Sequence, residues 1–491
     1  MEHDWTGLED PGRRIFIKGL GWVGLGLINA TLLGGCESIL KSIRNRPVRR
    51  RLRTGSAAVD NDIAIYEDAV AAMKALPNGN PRSWFAQAEI HGTAGVSFNF
   101  CHHGTQHFFS WHRAYLLYFE RICQTLTGES KFGLPYWNWN QNPALNPAFL
   151  DGTSSLFDGT RVNTSVAGET NFTNATLNPI FDDGNFFTFG SQIEGTPHNR
   201  GHTRIGGTMG GFGSAADPVF WTHHCMVDYC WAKWNIELDN DNTNDSGWLN
   251  TSWNHFVDGN GNPVNVTAAM TTLMPLLSYR YECSTVGKFG CPLDLTALSA
   301  EEFRRLEARI KEGAEVRYEI RKRVVISEAM TLTIERPIEL KSEVSTNDFA
   351  AIVDADASRE RVFLSIRYAE LPETNDFFLR AFINLPGANR QTPVDSDHYA
   401  GAFSFFGTRM PPGRGEHSHA PEFLINVTET LKTLKRTGRI QSGDPLTVHL
   451  VPLPEGDQIA RPDTRLMLRG LEFVVSPVTI RQRNPDDNRG S

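Results

Sequence analysis

The sequence predicts a multidomain protein with a mainly α-helical first part and an all-β sandwich or barrel towards the C-terminus. The chain has 491 residues, which is more than one ordinary domain holds. Apolar residues recur at helical spacing in the first part, and this pattern stops near Tyr279-Arg280-Tyr281. After residue 320 they form short β-prone runs instead, several of which alternate with a period of two.

Four helices are predicted in the first part. They cover residues 60–76, a segment through Trp111–Glu120, a segment around His198–His202, and residues 218–234. The stretch 139–196 is rich in Asn, Gly, Thr and Pro, which favours long loops.

The β-rich part is preceded by one more predicted helix. Ser299 and Glu302 form a capping box, and the helix is expected to end near Gly313. The runs that follow are separated by turn residues, as in a sandwich or barrel. These runs are Val324–Ile326, Met330–Ile334, Val362–Tyr368, Phe377–Phe382, Leu446–Val451 and Leu466–Val475.

Charge and cysteine content exclude some classes of protein. The formal net charge of −8 argues against nucleic acid as the main partner, because that role usually needs a basic face. Seven cysteines are too few for a disulfide scaffold. Cys283 and Cys291 could pair, but the sequence leaves disulfides open among Cys123, Cys225, Cys230, Cys283 and Cys291.

Residues 1–36 have the features of a bacterial export signal. Arg13-Arg14 precedes an apolar, Gly-rich stretch, which predicts a twin-arginine signal and the twin-arginine export machinery as a partner. Leu33-Gly34-Gly35-Cys36 resembles a lipoprotein cleavage box, so a lipid anchor at Cys36 is expected. The protein is therefore expected to be exported, in the periplasm or at the cell surface. Residues 37–54 are interpreted as a basic linker, a solvated tether.

Two clusters of histidines are the main functional signal. The first contains His91, Cys101-His102-His103, His107 and His112. The second contains His198 and His202, then His223-His224 after Asp217-Pro218-Val219-Phe220. His198 and His202 are four apart, so on a helix they lie on one face and can hold one metal ion. His223 and His224 cannot both point inward from one helix.

The composition of these clusters favours copper. Imidazole suits copper, zinc, iron and nickel. A set of neutral imidazoles without carboxylates leaves the charge of the metal uncompensated, which favours Cu(I). A dinuclear zinc hydrolase is the alternative, but such sites normally include Asp or Glu ligands.

These motifs resemble those of tyrosinases, catechol oxidases and molluscan haemocyanins over residues 55–285. The block His103–Glu120 resembles the first copper motif of that family. Pro197-His198-Asn199-Arg200-Gly201-His202, followed by the Asp217–His224 block, resembles the second. The resemblance implies a four-helix bundle that holds two copper ions. It also implies an oxidase that uses O2 to hydroxylate monophenols and to oxidise o-diphenols to o-quinones.

The resemblance assigns residues by position. The first copper takes His91, His103 and His112, and the second takes His198, His202 and His224. His102 and His107 match no ligand position and are expected to pack or to form hydrogen bonds.

Further roles also come from the resemblance. Cys101 is expected to form a thioether bond to His103. Phe220 is expected to be an aromatic gate over the second copper, to pack in the core, or both, and Asp228 is expected to orient a histidine. Glu194 and Asn199 are expected to position a water that acts as base for monophenols.

Three motifs of the β-rich part are Phe382-Ile383-Asn384-Leu385-Pro386-Gly387, Tyr399-Ala400-Gly401-Ala402-Phe403 and Leu446-Thr447-Val448-His449-Leu450-Val451-Pro452. Through them, residues 325–482 resemble, more weakly, the C-terminal domain of latent polyphenol oxidases, which in that family covers the active site. The aromatic run Phe403, Phe405 and Phe406 contains the candidate plug, although strand core is an equal alternative. Residues 286–324 are expected to be a charged linker open to an activating protease, and residues 483–491 a tail.

Other functions remain open within the family. A catechol oxidase or an o-aminophenol oxidase without activity on monophenols fits the same motifs. A haemocyanin-like oxygen-binding protein is less favoured, because oxygen carriers usually have many domains.

Overall fold

The computed structural model describes residues 45–291, 298–315, 320–407, 422–455, 459 and 461–477. The expected export signal, Cys36 and the 483–491 tail lie outside the described residues. Within the described ranges, no helix combines the length and the apolar character needed to cross a membrane.

The first part of the chain is a helical domain with a large aromatic-rich core. Its helices are α1 Ala57–Ala75, α2 Trp84–His91, α3 Phe108–Thr127, α4 Asn174–Phe181, α5 Phe186–Ile193, α6 Asn199–Ile205, α7 Pro218–Ala232, α8 Ser246–Asn250, α9 Ala268–Thr272, α10 Met274–Leu277 and α11 Ala300–Glu312. Its short strands are β1 Val48–Arg49, β2 Gly92–Thr93, β3 Ser97–Phe98, β4 Ser252–Val257, β5 Pro263–Thr267 and β6 Arg280–Tyr281.

The central helix of this domain is α3. Helices α1 and α7 pack against it. On a third side, α5 continues through a π turn, Glu194–His198, into α6. The stacked rings of Phe109 and Phe189, 5.5 Å apart, join α3 to α5. The mainly α domain that the sequence predicts is thereby confirmed.

Capping residues explain where the helix that carries His223 and His224 begins. Asp217 accepts a hydrogen bond from the backbone N–H of Val219, and Pro218 occupies the first helical position, where its missing N–H costs nothing. Trp221 on this helix stacks on Phe119 of α3 with ring centroids 3.5 Å apart. The cap and this stacking set the position of α7 along α3.

The prediction of long loops over 139–196 is wrong for its second half, which contains α4 and α5. The Asn185 side chain caps α5 by accepting from the N–H groups of Phe187 and Thr188. Phe189 then stacks on Trp234 at 4.8 Å. Asn is common in loops, and for this reason the sequence predicted a loop here. It is also one of the best residues to begin a helix.

The prediction of a solvated tether is wrong for residues 46–53. Strand β1 pairs in parallel with β6, with Val48 opposite Arg280. Arg49 is fully buried and pairs with Glu120 at 2.9 Å and with Asp228 at 3.1 Å. Buried acidic partners, rather than solvent, surround this part of the basic run.

The last part of the chain is a β domain, residues 322–477, made of two antiparallel sheets around a common core. The strands of its described residues are β7 Lys322–Ser327, β8 Met330–Thr333, β9 Ile338–Ser342, β10 Glu360–Tyr368, β11 Phe377–Ile383, β12 Tyr399–Ser404, β13 Glu422–Asn426, β14 Leu446–Pro454 and β15 Arg465–Pro477. One sheet has the order β13-β10-β15-β7, with β8 also on β15, and the other has the order β12-β11-β14-β9. Two helices, α12 Thr346–Val353 and α13 Thr428–Arg436, lie between strands. The predicted sandwich is confirmed.

The segment between the two domains is partly attached to the helical domain. A disulfide joins Cys283 to Cys291. Helix α11 begins with the predicted capping box and buries Phe303 and Ile310 against residues of the helical domain, including Ile236 and Leu276. The expected linker over 286–324 therefore contains a docked helix.

Candidate metal centre

Three histidines converge from α2, from the loop after β3 and from α3. The ligand-capable nitrogens of His91, His103 and His112 all lie within 4.8 Å of one another. His91 Nε2 and His103 Nε2 are 3.1 Å apart. The sequence separates these residues by up to 21 positions, and the fold brings them to one point.

The Nδ1 atom of each of these rings faces an acceptor. His91 Nδ1 lies 3.1 Å from the Phe212 carbonyl, and His112 Nδ1 lies 2.8 Å from the Phe108 carbonyl. The third, His103 Nδ1, lies 3.2 Å from Glu194 Oε1. A proton on each Nδ1 satisfies these contacts and leaves the Nε2 lone pairs directed at the common point.

A second triad lies next to the first. His198 ends the π turn and His202 follows on α6, and their ligand nitrogens come within 4.8 Å of those of His223 on α7. His224, also on α7, brings its Nε2 to 3.2 Å from His202 Nε2. The distances thus admit either histidine of the pair.

The imidazole rings of His223 and His224 have different surroundings. His224 stacks on His112 of the first triad, with centroids 4.3 Å apart and an interplanar angle of 11°. His223 lies behind α6, where a Cβ added at Gly201 would come within 2.4 Å of its ring. His224 is therefore the ring that lies between the two triads, and Gly201 supplies the space that His223 needs.

Burial favours the neutral form of all of these imidazoles. Burial lowers the pKa of His91 and His223 to about 3, and it holds the pKa of the other rings well below the ordinary value. A neutral imidazole is the form that binds a metal ion.

The donor set fits a pair of metal ions. His112 Nε2 and His198 Nε2 are buried and have no hydrogen-bond partner among the described residues. An unsatisfied buried polar atom of this kind costs about 1–3 kcal/mol. A cation at each triad would take up these lone pairs, and an all-imidazole set suits copper or zinc rather than magnesium or calcium.

A cavity of about 290 Å³ opens beside the triads, between the two domains. Its lining includes His103, Glu194 and Asn199 from the helical domain and Phe406 from the β domain. Burial raises the pKa of Glu194 to about 8, although the Gly104 N–H donates to its carboxylate at 2.6 Å. Asn199 Oδ1 lies 2.9 Å from His198 Nδ1.

Residues 81–179 and 154–237, two overlapping stretches, match the family described as the common central domain of tyrosinase. Residues 81–237 are therefore similar to the central domain that the tyrosinase family shares. The chain is 31% identical over 284 residues to a tyrosinase of Hahella sp. (strain CCB-MM4). This match covers 45% of the chain and 61% of that tyrosinase. The chain is 29% identical to a chloroplastic polyphenol oxidase of Malus domestica, over 61% of this chain and 58% of that protein. The chain thus spans about three fifths of the length of these relatives.

Solved structures share the arrangement of both domains. A latent aurone synthase (polyphenol oxidase) matches with a TM-score of 0.62 at 21% identity, over 89% of this chain and 90% of that one. Latent apple tyrosinase matches with 0.59 at 20% identity, over 88% and 97% of the two chains. A functional unit of octopus hemocyanin matches with 0.52 at 17% identity, over 88% and 100%. These likenesses confirm the fold, and the family implies a dicopper centre.

Phe220 has a different place in the helical domain from the one expected of a gate. It is fully buried, with its ring 4.3 Å from His224 and 4.8 Å from His91. The aromatic rings that line the cavity are others, among them Phe98 and Phe406. Because Phe220 lies in the core behind the histidines, its position favours packing over control of access.

Asp228 does not orient a histidine, which corrects the expectation. Its carboxylate accepts from Tyr279 and Tyr281, each at 2.6 Å, and from Arg113 and Arg49. Burial would raise the pKa of Asp228, but the two arginines and the tyrosine hydroxyls lower it below the ordinary value. Asp228 is the centre of a buried network that joins β1 and the segment Tyr279–Tyr281 to α3 and α7.

The two extra histidines of the first cluster have the roles expected of them. Trp253 Nε1 donates to His102 Nε2 at 2.9 Å. His107 stacks on Trp248 with centroids 5.6 Å apart. Cys101 lines the cavity and is not in a disulfide, and burial raises the pKa of its thiol well above the ordinary value. Its thioether bond to His103 stays a prediction.

One of the three aromatic residues expected to plug the site reaches the histidines. The ring of Phe406 stacks on His202 at 4.0 Å and lies 5.1 Å from His103. Phe403 and Phe405 point into the core of the β domain, against Phe423.

Two residues that contact the histidines could not be predicted from the sequence. The carbonyls of Phe212 and Met209 fix His91 and His202. Any residue has a carbonyl, so no motif could have identified these positions.

Proposed function

We propose that this protein is a copper-dependent oxidase that uses O2 to hydroxylate monophenols, to oxidise o-diphenols to o-quinones, or both. The observation that carries the proposal is the pair of buried, neutral histidine triads, joined by the stacked rings of His112 and His224. Two copper ions, cycling between Cu²⁺ and Cu⁺, are the proposed cofactors. Phenolic small molecules and O2 are the proposed substrates.

His91, His103 and His112 hold the first copper, and His198, His202 and His224 hold the second. We choose His224 over His223 because its Nε2 is 3.2 Å from His202 Nε2 and its ring lies against the first triad. When bound, the two ions supply the redox change that lets O2 take electrons from the phenol.

The residues around the cavity bind the phenol and accept the proton of its hydroxyl group. The aromatic walls of the cavity exclude water and pack against the phenol ring. A free phenol has a pKa of about 10, so a base assists its deprotonation at neutral pH. Glu194 and Asn199 both line this cavity and hold the water that takes the phenol proton.

The β domain keeps the enzyme latent. Phe406 occupies the space above His202 that a substrate ring needs. Next to it, Ser404 binds two side chains of α6: its carbonyl accepts from Asn199 Nδ2 at 3.3 Å, and its hydroxyl lies 3.1 Å from Thr203 Oγ1. Phenol oxidation therefore requires the β domain to leave.

A buried ion group holds the two domains together. The guanidinium of Arg200, between His198 and His202 in sequence, pairs with Glu169 of the helical domain at 2.7 Å and with Glu455 of the β domain. It also lies 4.0 Å from the ring centre of Phe378 in the β domain. Removal of the β domain therefore breaks the contacts of Arg200 with Glu455 and Phe378 and leaves its ion pair with Glu169.

Activation follows cleavage by a protease between α11 and β7. Because α11 packs on the helical domain, a cut after it leaves the β domain held to the helical domain by non-covalent contacts alone, from which it can dissociate. Arg317 and Arg321 lie in this interval and suit a protease that cleaves after basic residues.

Export by the twin-arginine route and lipidation at Cys36 complete the proposal. The support is the sequence pattern of residues 1–36. Mass spectrometry of the mature N-terminus from a membrane fraction tests it, since an unmodified terminus at another residue contradicts the lipid anchor.

The central test is a copper assay combined with turnover of tyrosine and of a simple catechol, before and after limited proteolysis. Two copper ions per chain and quinone formation after cleavage are expected. Zinc in place of copper refutes the proposal. If the cleaved protein binds copper but oxidises neither substrate, the result favours an oxygen-binding protein. The likeness of the fold to a hemocyanin unit is compatible with that function. Turnover of the catechol alone identifies a catechol oxidase.

A further inference from the structure

His103 is held differently from the other two histidines of its triad. His91 and His112 lie on helices, and their Nδ1 atoms face backbone carbonyls. His103 lies on a loop, lines the cavity, and has its Nδ1 on the side chain of Glu194 at 3.2 Å. A loop residue has more freedom than a helix residue, so its ring depends more on this contact.

The same carboxylate also holds the backbone beside His103. The Gly104 N–H donates to Glu194 Oε1 at 2.6 Å. Gly104 has a φ of +65°, a conformation that a residue with a side chain rarely adopts. This turn brings the Gly104 N–H and the His103 ring to one oxygen, so Glu194 restrains both the loop and the side chain.

The backbone of Glu194 contacts the second triad. Glu194 begins the π turn that ends at His198, and its carbonyl lies 3.3 Å from His198 Nδ1. Irregular π turns inside helices are frequent at functional sites. One residue therefore orients a histidine of each triad, His103 through its side chain and His198 through its main chain.

We propose that Glu194 is a positioning residue that fixes the His103 ring for the first copper and ties the geometry of the two copper sites together. This inference rests on the proposed function, and it adds a role distinct from that of a base. A partner on the far nitrogen of a metal-binding histidine sets its tautomer and rotation. Loss of such a partner typically costs 10–100-fold in metal affinity.

Two substitutions separate the positioning role from the base role. In Glu194→Gln, the amide oxygen still accepts from Gly104 and from His103 Nδ1–H, but it no longer takes a proton. In Glu194→Ala, the acceptor is lost while the main-chain contact to His198 remains. Ser191→Ala is the matched control, since Ser191 lines the same cavity and is not among the residues hydrogen-bonded to the triads.

The experiment measures copper per chain by atomic absorption and copper(I) affinity by competition with a chelator, on the full-length protein. We expect Glu194→Ala to lose 10–100-fold in affinity at one site, leaving close to one copper per chain after dialysis. Glu194→Gln is expected to keep two copper ions with near wild-type affinity and to lose phenol turnover after cleavage. Ser191→Ala is expected to match the wild type in both measurements.

Two copper ions of wild-type affinity in Glu194→Ala would overturn the positioning role. Equal loss of copper in the Gln and Ala variants would also overturn it, because charge rather than orientation would then be responsible. If Glu194→Ala does not fold, Glu194→Asp replaces it: its carboxylate is one methylene shorter, and the positioning role requires partial loss at one site. Failure of the proposed function appears separately, as a wild-type protein without copper or turnover.

Discussion

Removal of the Phe406 ring provides the most direct test of how the β domain controls access. Phe406 is 5% exposed, and its ring stacks on His202 and packs near Phe98 and His103. These contacts exist only while the two domains are docked. Truncation to alanine therefore weakens docking and at the same time clears the space above the histidines.

The size of the effect follows from burial. Phe→Ala at a well-packed site costs about 3–5 kcal/mol. The ring borders an existing cavity of about 290 Å³, so the lower end applies. A change of about 3 kcal/mol shifts the docking equilibrium roughly 150-fold towards the open form. The Arg200 ion group and the Ser404 contacts persist, so the open fraction rises without the domains separating fully.

The assay is the rate of quinone formation from a simple catechol by uncleaved protein, with a gel to verify that the chain is intact. Uncleaved Phe406→Ala is expected to oxidise catechol at least about 10-fold faster than uncleaved wild type. This increase is smaller than the roughly 150-fold shift of the docking equilibrium, which sets its upper limit. After cleavage the two proteins should be equal. Phe405→Leu is the control, because Phe405 packs in the core of the β domain and its change leaves the plug in place.

An uncleaved Phe406→Ala variant as inactive as the wild type would refute the reasoning, provided that cleavage activates both. Equal activation by Phe405→Leu would show that loss of β-domain stability, and not removal of the plug, is responsible.

Three further predictions concern the ligands, the buried charges and the domain contact. His224→Ala should lose one copper and all catechol oxidation, whereas His223→Ala should keep two copper ions; metal analysis showing the reverse would exchange their roles. Asp228→Asn should lower the free energy of unfolding by about 3–5 kcal/mol, because it leaves two buried arginines without their shared carboxylate. The native pKa of Asp228 lies below its ordinary value, so its contribution is full above that value and is lost as the pH falls through the native pKa. Urea unfolding between pH 5 and pH 3 should accordingly show a smaller loss in Asp228→Asn than in wild type. Glu455→Gln should speed the dissociation of the cleaved β domain on size-exclusion chromatography, with Glu373→Gln, at an exposed ion pair, unchanged.

Local sequence was a good guide to the helices that carry the histidines. The helix predicted over 218–234 is α7, Pro218–Ala232, because Asp217 and Pro218 are strong start signals. Helices α4 and α5 were missed, since Asn and Gly around them favour loops. In α5, burial of Phe186 against Trp231 and of Phe189 against Trp234 stabilises the helix, and the local sequence does not show this.

The basic run 46–53 was interpreted from charge alone. An arginine in a solvated tether and one in a buried ion pair have the same local sequence. Its acidic partners, Glu120 and Asp228, are 71 and 179 residues away from Arg49. A contact across such separations leaves no periodic pattern in the neighbourhood of either residue.

The residues that could bind metal are recognisable in the amino-acid sequence, since imidazoles in ordered blocks with helical spacing are a local pattern. The change from a helical part to a β part is recognisable in the same way. Three features of the site are visible in the folded protein alone: which nitrogen of each ring faces the common point, that Phe406 rather than Phe403 or Phe405 contacts the histidines, and that Glu194 contacts both triads. They are distances and directions between side chains far apart in the chain, and the packing of the two domains sets them.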